Sequence, residues 1–114
     1  MTKHDPRGPL LDMRDYALAA QQLVEGHNLD DLQHDQILRL ALERVIEIIG
    51  EAANRLPPDF RAKYEQIEWI KIIGMRNVLA HGYDEIDDEV LWETAEIHIP
   101  RLLTQLEELL RESS

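Results

Sequence analysis

From Ile37 to Leu56 the apolar side chains Ile37, Leu40, Ala41, Val45, Ile48, Ile49, Ala52 and Leu56 return every three or four residues. That spacing lines them along one stripe of an α-helix about six turns long, and a strand, with its period of two, would scatter them over both faces. The helix is expected to open after Asp30-Asp31, residues suited to a cap and a first turn, and to stop at Pro57-Pro58. Pro58 can itself open a short helix running through Asp59, Phe60, Arg61 and Ala62.

The same period recurs on either side. Leu10, Met13, Ala17, Ala20 and Val24 mark a first helix from Pro9 to Glu25, with Leu11, Leu18 and Leu23 widening its face, and Gly26-His27-Asn28 is its stop. Trp69, Ile72, Ile73, Arg76, Leu79 and Ala80 mark a third long helix, with Gly82 placed for a left-handed C-terminal cap. The acidic stretch Asp84–Glu89 reads as a turn in which Asp87 or Asp88 caps a last helix carrying Leu91, Ala95, His98, Leu102, Leu106 and Leu109. Pro100 falls inside that helix and should kink or restart it. With no β-branched alternation, internal repeat or low-complexity linker, the expected fold is all-α: an antiparallel bundle of four to five helices. One domain over residues 1–114 is expected, with residues 1–8 as a flexible lead and 111–114 as a frayed end.

Hydrophobic residues make up 44% of the chain and charged residues 31%, a balance that fits neither a disordered nor a membrane protein. Apolar runs are a few residues long, against the roughly 20 needed to cross a bilayer, and the opening residues 1–8 lack the apolar core of a signal peptide. The chain has no cysteine, so it has neither a disulfide framework nor a thiolate site. A cytoplasmic location is the expectation from these features. The net charge of −11 counts against an ordinary nucleic-acid binder, because phosphate contacts from basic side chains supply most of such affinity. Contact with RNA would have to come through a local site, and the acidic excess could equally face a basic protein partner.

Metal chemistry finds little support. None of His4, His27, His34, His81 and His98 belongs to an H-E-x-x-H pair, and no E-x-x-H pair suggests a di-iron bundle. Asp31 and His34 could meet on one helix face, although a capped first turn explains both. A P-loop, a dinucleotide fingerprint and a nucleophile elbow are missing, and no cofactor is expected. His98 lies on the apolar stripe, where a hydrogen-bonded core or interface role is the simpler assignment.

The segment Arg76-Asn77-Val78-Leu79-Ala80-His81-Gly82-Tyr83 is different, because it sets four polar side chains at the end of a core-like helix. Asn77 and His81, four apart, share a face and can hydrogen-bond. Arg76 and His81, five apart, are separated by roughly 140° around a straight helix. Either Arg76 reaches round, or the helix end is distorted, or a second copy completes the site, and a two-fold dimer with the helix ends together is favoured. This set suits cleavage of an RNA phosphodiester without metal. An imidazole moves protons near neutrality between the 2′-hydroxyl and the leaving 5′-oxygen. A guanidinium, permanently charged and planar, matches charge building on phosphate oxygens. Asn77 could fix the imidazole or the substrate. Against this, a bare Arg-x4-His is short enough to arise by chance, with Arg76 paired to an acid and His81 closing the helix.

The longer string Arg-Asn-x3-His-x-Tyr resembles the motif of HepT-like toxins in the HEPN superfamily. So do Ile48-Ile49-Gly50-Glu51-Ala52, the run from Trp69 to Met75, and the acidic turn into the last helix. The likeness extends from about Leu10 to Leu110. It implies a HEPN-like helical bundle that dimerises with its motifs across a cleft and acts as a metal-independent, growth-arresting ribonuclease. It also implies a partner, a minimal nucleotidyltransferase antitoxin that transfers AMP to the motif tyrosine. By position, Arg76 and His81 match the catalytic pair, Asn77 the polar residue after the arginine, and Tyr83 the modified tyrosine. A competing reading is a non-catalytic helical subunit that docks the nucleotidyltransferase, which the net charge favours and the intact Arg76/His81 pair opposes. A third is a bundle without any site, its polar cluster being ordinary capping.

Overall fold

Leu10, Met13, Ala17 and Ala20 recur at three and four, and all four are buried along one side of helix α1, Arg7–Val24. The computed structural model describes residues 5–81 and 86–112. Helix α1 therefore starts two residues ahead of Pro9. It ends before Gly26, whose φ of +78° is the left-handed conformation that glycine adopts without steric penalty.

Two helices stand where one long helix was expected between Asp30 and Leu56. Asn28 caps α2, Leu29–His34, through a reciprocal pair: its Oδ1 accepts from the Asp31 N–H at 2.9 Å, and Asp31 Oδ2 accepts from the Asn28 N–H at 3.0 Å. Asp35 then turns extended, at φ −122° and ψ 96°, and its Oδ1 accepts from the Leu38 N–H at 3.0 Å to open α3, Gln36–Arg55. An aspartate inside an apolar periodic run can offer the backbone this alternative to a continuous helix. The restart also settles which face of α3 is inside. Leu38, Leu42, Ile46, Ile49 and Ala53 are buried, whereas Ile37 and Leu40 are 80% and 55% exposed. The expected stripe is thus wrong in its first turns and right at Ile49, Ala52 and Leu56.

Pro58 opens the short helix α4, Pro58–Lys63, and α5 spans Trp69–His81. Asp87 Oδ1 accepts from the Val90 N–H at 2.9 Å and caps α6, Asp88–Glu93. A π turn, Thr94–His98, joins α6 to α7, Ile99–Glu112. Pro100 explains that turn. It has no N–H for the Glu96 carbonyl, and one extra residue per turn moves its ring off the preceding backbone. The widened turn puts Ile99, 4% exposed, on the apolar stripe and leaves His98 only half-buried beside it. His98 is therefore not a core residue; its Nε2 lies 3.5 Å from Glu93 Oε1.

Helix α1 packs against both α3 and α7, α3 carries α5 on its other side, and α2 lies against α6. The core is a continuous apolar cluster to which α1, α3 and α7 contribute most, and no polar or charged side chain is fully buried among the described residues. Arg39 of α3 ties down the start of α6, pairing with Asp88 and donating to the Ile86 carbonyl at 3.1 Å. The fold is the expected all-α, HEPN-like bundle, and no strand occurs among the described residues. The expected flexible lead and frayed end fall in part on residues 1–4 and 113–114, outside the described residues.

Candidate active site on the fifth helix

Apolar residues are spread around helix α5 with no single apolar stripe, yet only Trp69 is fully buried. The Trp69 indole N–H donates to the Tyr64 carbonyl at 3.0 Å and anchors the helix at its first residue. One side of α5 lies on α3, and the contact is close because Gly50 has no side chain. A Cβ built there would stand 2.2 Å from Arg76 Cβ, 2.9 Å from the Ile72 carbonyl oxygen and 3.1 Å from Arg76 Cγ. Arg76 therefore leaves α5 on the side facing α3, its first two side-chain carbons lying in a notch over Gly50.

The opposite side is open. Ile70, Gly74, Asn77 and His81 are all exposed at helical spacing, Ile70 to 89%. Arg76 and His81 thus start on different sides of α5, as their five-residue spacing requires. Asn77 bridges the difference. Its Oδ1 accepts a hydrogen bond from Arg76 Nη1 at 2.8 Å, turning the guanidinium towards the face that Asn77 shares with His81. Asn77 accordingly holds the arginine; among the described residues its amide makes no bond to the His81 ring. Arg76 Nε is buried and meets no acceptor among the described residues. Tyr83 and Gly82, expected as modification site and helix cap, lie outside the described residues.

A cleft of about 670 Å³ separates α5 from α6, the π turn and α7, with Ile46 and Ile49 of α3 also lining it. Its α5 wall includes Gly74, Met75 and Val78, while Arg76, Asn77 and His81 lie elsewhere on the helix. Glu68 stands at its edge, where Lys71 binds its carboxylate at 2.9 Å and, with His98 and Arg101 nearby, holds it below the usual carboxylate range. Among the described residues no group of three or more His, Asp or Glu side chains comes together as a metal-binding set, and no helix is long and apolar enough to cross a membrane. His27 and His34 are engaged locally, with Asp31 at 3.2 Å and with the Asp30 carbonyl at 2.9 Å. Asp31 and His34 therefore serve different partners.

Gly50 is the residue that sequence reasoning passed over as a site component. A glycine in mid-helix is unfavourable unless something must come close, and that was the available signal.

Comparison with known proteins identifies the family. A family model described as "Ribonuclease HepT-like" matches residues 13–109. The chain is 40% identical over 88 residues to a candidate RNase, TTE0752, of Caldanaerobacter subterraneus subsp. tengcongensis, covering 77% of this chain and 79% of that one. It is 38% identical over 80 residues to a probable ribonuclease HepT of Thermococcus cleftensis, covering 70% and 73%. A candidate RNase of Methanocaldococcus jannaschii, MJ1216, is 30% identical over 112 residues, covering 98% and 93%. No solved structure matches the chain. With a family match over most of its length and these relatives beside it, the chain belongs to the HepT-like ribonuclease family.

Proposed function

We propose that this protein is the toxin of a toxin–antitoxin pair, an endoribonuclease that cleaves RNA without a metal ion. The observation that carries this reading is the Arg76–Asn77 hydrogen bond, which draws the guanidinium round α5 towards the side that His81 occupies. In the reaction, the RNA 2′-oxygen loses its proton and attacks the adjacent phosphorus. The bond to the 5′-oxygen breaks, and that oxygen takes up a proton. The products are a 2′,3′-cyclic phosphate and a 5′-hydroxyl. Arg76 stabilises charge on the non-bridging oxygens, and His81 moves a proton. One imidazole cannot serve both oxygens at the same instant, and a second copy of the chain supplies the other.

A homodimer also covers the open line of Ile70, Gly74, Asn77 and His81, where the bare Gly74 leaves room for a second helix to approach. The regulatory partner is a minimal nucleotidyltransferase antitoxin that transfers AMP to Tyr83, and the pair acts in the cytoplasm. These assignments rest on the family resemblance and on the position of Tyr83 two residues beyond His81.

The test is cleavage of RNA by purified protein in EDTA, with the ends of the fragments identified by mass. Cyclic phosphate ends and undiminished cleavage are expected. Activity that vanishes on chelation and returns with magnesium would overturn the mechanism.

A further inference from the structure

We propose that Gly50 is a positioning residue for Arg76, and that the notch it leaves in α3 sets the direction in which the guanidinium reaches the scissile phosphate. The inference rests on the ribonuclease reading of Arg76 given above. Two observations carry it. A Cβ at position 50 would lie 2.2 Å from Arg76 Cβ and 2.9 Å from the Ile72 backbone oxygen, so nothing larger than hydrogen fits while α5 stays in place. Independently, Arg76 Nε is buried while its Nη1 bonds to Asn77 Oδ1, so the stem is enclosed and only the end of the guanidinium is directed outward. Side-chain rotation cannot relieve the clash, because both Arg76 Cβ and the Ile72 oxygen are fixed to the α5 backbone. Restoring ordinary contact, at 3.4 Å or beyond, moves that backbone by about 1 Å. A preorganised charge displaced this far stabilises the transition state less, while substrate held elsewhere is bound nearly as before.

Gly50→Ala is expected to lose about a hundredfold in kcat, the scale of a 1 Å misplacement, with KM almost unchanged. Alanine is the better helix former, so any loss cannot be assigned to a weakened α3. In a ¹⁵N spectrum the Arg76 Nε–H resonance should shift or broaden in this variant, while the helical circular dichroism persists. Gly8→Ala, at a helical glycine of α1 where a Cβ meets nothing within 4 Å, should cleave like the wild type. Wild-type kcat in folded Gly50→Ala, or a lost kcat with the Arg76 Nε–H resonance unmoved, would overturn the proposal. Should Gly50→Ala fail to fold, hydrogen exchange in the wild type decides it: a buried Arg76 Nε–H exchanges more slowly than those of exposed arginines, and equal rates would refute the notch. Full activity in Arg76→Ala would instead remove the ribonuclease assignment itself.

Discussion

Arg76 Nη1 and Asn77 Oδ1 lie 2.8 Å apart although adjacent side chains leave a helix about 100° from each other. The bond spans that angle because arginine is long and Asn77 is short and exposed. It converts two neighbouring residues into one directed cation. Asn77→Ala should therefore lower kcat by about tenfold, the value of one hydrogen bond to a charged group, without changing the melting temperature. Asn77→Ala combined with Arg76→Ala should be no worse than Arg76→Ala alone, which a double-mutant cycle on cleavage rates would reveal. Full additivity would mean that Asn77 acts on something other than Arg76.

Arg76→Ala and His81→Ala should each abolish growth arrest on expression in bacteria and leave the fold intact. His81 is exposed and Arg76 gives up only a half-buried stem, so each should cost no more than about 1 kcal/mol in urea denaturation. A variant that folds normally and still arrests growth would refute the assigned role.

Tyr83→Phe removes one hydroxyl. On the proposed regulation, AMP added at Tyr83 brings a bulky anion that competes with the RNA phosphate, so modification should silence cleavage without unfolding the protein. The phenylalanine variant should stay toxic when the nucleotidyltransferase is co-expressed, and intact mass should show no added AMP. Equal neutralisation of both forms, with no mass change in the wild type, would dispose of the modification.

The two faces of α3 should differ in stability by design of the packing. Ile49→Ala, at a residue 1% exposed, is expected to cost about 3 kcal/mol, and Ile37→Ala, at 80% exposed, within about 0.5 kcal/mol. Asp35→Ala should cost about 1 kcal/mol by removing the cap that restarts the helix. Urea denaturation measures all three.

Much of this architecture was legible in the apolar period. The lines Leu10–Ala20 and Leu102–Leu109 are buried where the spacing puts them. The first turns of α3 were not, because Ile37-Leu40-Ala41 and Leu38-Leu42 both satisfy helical spacing in an apolar-rich run. Only the break at Asp35 and the packing against α1 choose between them. Arg76, Asn77 and His81 were legible as a group from residue chemistry. Their relation was not: local spacing offered Asn77 to His81, and the contact with Gly50, 26 positions earlier in the chain, turned Arg76 towards Asn77 instead.

The turn from Thr94 to His98 bears on chain length as well as on shape. A π turn is an α-helix holding one residue more than its path requires. Chain length here is tied to Pro100: without that proline, deletion of one residue between Glu93 and Ile99 would restore a straight helix with the same apolar line. A relative that spans this arm with an unbroken α-helix should therefore align to this chain only across a one-residue gap. A one-residue insertion or deletion, ordinarily ruinous inside a packed helix, can be absorbed at this turn.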